Sequence, residues 1–274
     1  MTSRRLFRVE RLLSWGADAG PVMGLDTSSP TASLAIVANG KVIAETSRAA
    51  TSHGAALPAA VEELLGMAGM RLQDLKGIAA GLGPGSFTGM RVGLSYMKGL
   101  VMALGCAVVG VPTFDCLALS AWEQSAPVPP GTLVCPVVDA RKGEVYAGLY
   151  RTGRDELEKI SEALVITLQN LVLQLSGSVL IAGDSKAREA AGLLGERGIL
   201  CTMLEEMEPN SRGRYVAAIG AERLSKGEAD SPAALEPLYV RTAQATFKPG
   251  ATGSQPGAKE RPWSVETKSS SSNF

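Results

Sequence analysis

A single histidine, His53, has to serve the whole 274-residue chain. Helical zinc or iron sites of the His-x-x-x-His kind need a second imidazole one turn on, and that position is Leu57. No metal is therefore expected, and His53 reads as a polar residue near a helix start. A Ser-His-Asp hydrolase would have to draw on the same histidine, and the chain has no Gly-x-Ser-x-Gly elbow. Cysteine is scarce too. Cys106, Cys116, Cys135 and Cys201 stand far apart and make no Cys-x-x-Cys pair, which speaks against a zinc knuckle or a redox dithiol and for the reduced thiols of a cytosolic protein. There is no surplus of either charge: Lys+Arg and Asp+Glu are both 27, whereas a stand-alone RNA binder carries a basic excess to displace phosphate counterions. Any nucleic-acid contact is then local or shared. No run of about eighteen apolar residues lacks charges or clustered glycines, so no membrane span is expected.

What is present is an ordinary globular composition, 45% hydrophobic and 20% charged, long enough for one large domain or two lobes. Residues 1–21 are arginine-rich (Arg4, Arg5, Arg8, Arg11) without a secretory pattern and read as an extension, disordered or belonging to an upstream start wrongly assigned. Residues 247–274 are dominated by Gly, Ser, Pro, Lys and Thr and read as a disordered tail. Between them, Val22–Asp26, Ala32–Val37 and Lys41–Glu45 form a predicted antiparallel meander with Asn39-Gly40 as a hairpin turn. A helix over His53–Met70, a strand over Gly77–Leu82 and a helix over Thr88–Leu104 complete a first lobe, 22–112. A second, 113–246, opens with a helix near Asp115–Gln124. Strands follow at Leu133–Val138, within Asp139–Tyr150 and at Ser178–Asp184, and a late helix over 211–226 either closes this lobe or packs back on the first. Two α/β lobes in tandem are the economical architecture.

Gly81-Leu-Gly83-Pro-Gly85-Ser86-Phe-Thr88-Gly89 is a tight strand-to-helix turn whose N–H groups could hold an anion. It is neither a Walker A loop nor a Rossmann fingerprint, and close packing of turn on helix explains its glycines equally well. Asp26-Thr27-Ser28 offers a carboxylate and two hydroxyls, as a magnesium-phosphate site or as a turn cap. At Asp139-Ala-Arg141-Lys-Gly-Glu144, Arg141 either meets a phosphate or pairs with Glu144. Leu57, Val61, Leu64 and Leu65 line one helix. In the next, Met90, Leu94, Met97 and Val101 form one apolar stripe and Val92, Tyr96, Leu100 and Ala103 another. So much apolar surface asks for a partner subunit, or for the second lobe, to cover it; the eight residues of the first two sets are the predicted partner interface.

In order and wording, Met23-Gly-Leu-Asp-Thr-Ser28, Gly83-Pro-Gly-Ser-Phe-Thr-Gly-Met-Arg-Val-Gly93, Asp139-Ala-Arg-Lys-Gly-Glu-Val-Tyr146 and Glu236-Pro-Leu-Tyr-Val-Arg241 resemble the TsaB (YeaZ) family over about Met23 to Arg241. The resemblance implies an α/β, two-lobed fold of the actin-like, sugar-kinase and Hsp70 ATPase (ASKHA) kind with a reduced second lobe. It implies a non-catalytic subunit of the machinery that makes threonylcarbamoyladenosine in tRNA. Such a subunit would pair with TsaD, help recruit TsaE, be linked functionally to TsaC, meet tRNA only through the complex and form a homodimer when isolated. TsaD keeps a metal-binding histidine pair on its first helix; the corresponding places here are His53 and Leu57. No catalytic residue is carried over. Asp26, Thr27, Ser28, Gly83, Gly85, Ser86 and Thr88 are left as a vestigial nucleotide or phosphate site with at most weak ATP or ADP binding, the alternative being a small ATP-binding kinase or ATPase of the same fold.

Overall fold

The computed structural model describes residues 6–8, 17–49, 53–204 and 211–240. Strands β2 (Val22–Asp26), β3 (Thr31–Ala38) and β4 (Lys41–Ala49) form the meander, turned at Asn39 and Gly40, both at positive φ as a two-residue hairpin turn requires. Helix α1 (His53–Ala68) carries the chain to β5 (Gly77–Gly81), and α2 (Phe87–Leu104) carries it to β6 (Ala107–Val111). Both crossovers place the new strand parallel to its neighbour, giving the order β4-β3-β2-β5-β6.

The second lobe repeats this plan. After α3 (Thr113–Ser125), three antiparallel strands, β7 (Leu133–Arg141), β8 (Glu144–Thr152) and β9 (Glu156–Thr167), precede α4 (Leu168–Gln174) and parallel β10 (Val179–Gly183). Then come α5 (Ser185–Glu196), β11 (Cys201–Leu204) and α6 (Ser211–Ser225). The sheet order is β1-β9-β8-β7-β10-β11, where β1 (Leu6–Arg8), from the amino-terminal extension, pairs antiparallel with β9. The two lobes thus share one topology, that of the ASKHA fold. What is reduced in the second is its helical layer: α4 and α5 have 7 and 12 residues against 16 and 18 for α1 and α2.

One helix crosses from the second lobe to the first. Helix α6 lies on β2, β3 and β5 of the first sheet, while α3 packs on β7 and β10 of the second, and the two helices touch. A single apolar core therefore runs from Val22 and Ala79 through Ala217 and Leu119 to Val134 and Leu180. The approach of α6 depends on missing side chains. A Cβ on Gly24 would meet Gly213 O at 2.5 Å, and one on Gly213 would meet Leu34 N at 2.7 Å, so helix and strand sit backbone against backbone.

The predicted partner interface is corrected here. Leu57, Val61, Leu64, Leu65, Met90, Leu94, Met97 and Val101 are all buried within this chain, on the face of the first sheet opposite α6. Val92, Tyr96 and Leu100 of the second α2 stripe are half-buried against the same core, so the sheet removes most of the apolar area of both helices from water. The outward sides carry Pro58, Glu62, Gly66 and Met67 on α1 and Ser95, Gly99, Met102 and Ala103 on α2. Met67 is 58% and Met102 80% exposed.

After α6 the chain does not end at the sheet. Residues 228–240 run back as a strap along the free edge of β6. Asp230 N–H donates to Val108 O and the Asp230 carboxylate accepts from Gly110 N–H, both at 2.8 Å, while Arg223 donates to Gly110 O and holds Asp230 by an ion pair. Leu235 is buried against Gly110, where a Cβ would come within 2.6 Å of it. An edge strand's open hydrogen-bonding groups are so taken up within the chain. The tail at 247–274 and Arg241 of the last motif lie outside the described residues, as does the side chain of His53.

Candidate functional site

The lobes face each other across a cleft of about 820 Å³, walled by the β2–β3 turn, the start of α2, the β7–β8 hairpin, the start of α5 and Arg212. Ser28, Gly85, Ser86 and Thr88 of the expected phosphate site line it; Asp26, Thr27 and Gly83 do not. Ser86 caps α2, its hydroxyl accepting from Gly89 N–H at 3.2 Å, and its own N–H donates to Ser28 O at 2.6 Å. A Cβ on Gly85 would overlap Ser28 O and one on Gly93 would overlap Thr27 Oγ1. The glycines of this run are thus accounted for by close packing of α2 onto the β2–β3 turn. Thr27 is spent in that packing, donating to Gly89 O at 2.8 Å.

Asp26 is fully buried, and both its oxygens are occupied. Oδ1 accepts from Ser28 N–H at 2.9 Å and from Ser28 Oγ at 2.6 Å; Oδ2 accepts from Thr113 Oγ1 at 2.6 Å. The Thr113 hydroxyl in turn accepts from Gly83 N–H at 3.1 Å. A carboxylate so enclosed ties β2, the glycine-rich turn and α3 together, and a cation would reach it only by displacing these donors. Buried Arg212 reaches Ser28 Oγ at 3.4 Å.

On the second-lobe wall the polar contacts are local. Asp139 pairs with Arg141 of its own turn at 3.4 Å and accepts from Arg141 N–H at 2.8 Å. Asp184 caps α5 through Lys186 N–H and accepts from Asp139 N–H. Nearby, burial, and next to it the Asp26 and Asp115 charges, push the Cys116 thiol well above its ordinary range. Thr113 and Arg212 were not marked by sequence: one follows a proline at a helix start and the other opens a helix, with no local pattern tying either to Asp26 or Ser28.

A family model described as TsaD, tRNA N6-adenosine threonylcarbamoyltransferase, matches residues 41–194, more than half of the chain. The tRNA threonylcarbamoyladenosine biosynthesis protein TsaB of Escherichia coli is 27% identical over 230 residues, covering 80% of this chain and 94% of that one. Its Bacillus subtilis counterpart is 29% identical over 234 residues, covering 83% and 96%. The chain belongs to the TsaB family. Among solved structures, YeaZ from Pseudomonas aeruginosa superposes with a TM-score of 0.66 at 24% identity, over 80% of this chain and 99% of that one, a likeness of fold. The segment 41–194 matched by the TsaD model takes in both helices of the first lobe and the β7–β8 hairpin, so that likeness includes most of the cleft.

Proposed function

We propose that this chain is a non-catalytic scaffold subunit in the biosynthesis of tRNA threonylcarbamoyladenosine. It pairs with the transferase TsaD through the outward sides of α1 and α2 and helps recruit TsaE, while TsaC supplies the threonylcarbamoyl adenylate. Transfer to adenosine 37 of tRNAs reading ANN codons then takes place on TsaD, and tRNA meets this chain only through the complex. The single observation that carries the non-catalytic part is the state of Asp26, whose two oxygens are taken by Ser28 and Thr113 in a fully buried position. The pairing is supported by the exposed Met67 and Met102 on adjoining helices, apolar groups of the kind interfaces enrich. Isolated, the chain uses the same surface to form a homodimer.

Titration of the purified chain with TsaD, followed by gel filtration, tests the reading. A one-to-one complex is expected, and threonylcarbamoyl transfer that needs both proteins. Micromolar magnesium-ATP binding with turnover by the chain alone would overturn it. A second reading draws on Ser28, Ser86, Thr88 and Arg212 around the start of α2: a weak ATP or ADP site without turnover, tested by the same ATP titration.

A further inference from the structure

Where the strap ends it meets the first turn of α2. Phe87 and Tyr239 are 46% and 40% exposed, with ring centroids 5.4 Å apart. The Arg91 guanidinium lies over the Phe87 ring, 3.9 Å from its centre and 5.6 Å from that of Tyr239, and its Nε donates to the Tyr239 hydroxyl at 2.8 Å. Among the described residues no acceptor meets the two terminal nitrogens of Arg91. Cation–π and hydrogen-bonding contacts at exposed positions add little to folding stability, so the fold has small reason to hold these three side chains in one geometry in water. Exposed aromatics around an arginine are what the centre of an interface is made of.

The geometry also states the chemistry of the occupant. With Nε engaged and the plane stacked, Arg91 presents its two terminal amino groups outward in the fork that matches a carboxylate. A groove of about 440 Å³ continues from it between Leu94, Ser95 and Lys98 of α2 and Glu236 and Pro237 of the strap. Arg91, Ser95 and Met102 share one side of α2 by their helical spacing, so this anchor is continuous with the surface proposed for TsaD. We propose that Phe87, Arg91 and Tyr239 are the anchor of that surface and receive an Asp or Glu side chain of the transferase, whose flanking residue enters the groove. The proposal rests on the pairing argued above.

Calorimetric titration of the full chain with TsaD at low and high salt tests it, using wild type, Arg91→Gln, Arg91→Lys, Tyr239→Phe and, as a control on the second lobe, Leu173→Ser. Arg91→Gln should weaken binding roughly thirtyfold and flatten its salt dependence. Lysine should fail to restore it, lacking the planar fork, and Tyr239→Phe should cost about three- to tenfold by releasing the guanidinium. Leu173→Ser should bind as wild type, and all variants should melt together. Arg91→Gln binding within about twofold of wild type with the same salt slope would overturn the anchor and leave the pairing standing. A wild-type chain that binds no TsaD would overturn the pairing and the anchor with it.

Discussion

Thr113 donates its hydroxyl proton to Asp26 across 2.6 Å, joining residues 87 positions apart and fastening the last residue of β2 to the first of α3. Because the same hydroxyl accepts from Gly83 N–H, one oxygen holds two buried groups. Thr113→Val keeps the shape and strands both. It should lower stability by about 1–3 kcal/mol, read as a lower thermal midpoint, whereas Thr113→Ser should stay within roughly 1 kcal/mol of wild type.

Charges placed on the inner stripes of α1 and α2 should act on folding itself. Leu64 and Met97 are 0% and 1% exposed, so Leu64→Asp or Met97→Glu should cost on the order of 4 kcal/mol or more and yield insoluble or molten protein. Met102→Glu, on the open side of α2, should fold normally and lose TsaD in gel filtration. Circular dichroism on the same samples separates the two outcomes.

Gly24→Ala should be among the most damaging small substitutions in the first lobe. Its Cβ would collide with the backbone of Gly213 and Ala217, which cannot swing aside like a side chain, and α6 would have to lift from the sheet. A loss of about 3 kcal/mol is expected in chemical denaturation. Gly192→Ala, on an exposed turn of α5 with open space where the Cβ would go, should instead stabilise by about 0.5–1 kcal/mol.

Alkaline pH should loosen the fold before it breaks it. Burial, and then the neighbouring Cys201, pushes the Cys135 thiol up to about 12, and burial followed by the Asp115 charge raises the Tyr150 phenol well above its usual value. Both groups hold their protons more tightly folded than unfolded. Their contribution is complete below the unfolded values, about 8.5 for cysteine and 10 for tyrosine, and is lost as pH climbs toward the folded ones. The urea midpoint should therefore fall steadily above about pH 9, and Cys135→Val should flatten that fall. At pH 8, a thiol reagent should label half-buried Cys106 and Cys201 quickly and buried Cys116 and Cys135 only at the rate of unfolding.

Much of the first lobe was legible because its signals are local. The Asn39-Gly40 turn, the short β-prone runs of β2 to β4 and the helical spacing of α1 and α2 each lie within a few residues. Strand β9 carries no such signal: its burial is mixed and its pairing with β8 shifts register twice, so Glu156–Thr167 shows no clean alternation. Helices α4 and α5 are hard to read beside it, being short and, in α5, holding alanine or glycine at five of twelve positions. On α2 the number of apolar stripes was readable but not which of them the sheet would take, since hydropathy carries no direction. Asp26 could be read as a magnesium ligand or as a cap because the residue that decides, Thr113, arrives only through the fold.

The strap and α6 impose an order of assembly. The chain leaves the ribosome with its amino-terminal lobe in hand but without the helix that roofs one side of that lobe's sheet or the segment that seals its rim. Both follow the strands of both sheets in the chain, so the sheet synthesised first is completed after the second. A nascent chain stalled before residue 211 would hold a second lobe still backed by α3 and a first lobe open to any sticky neighbour.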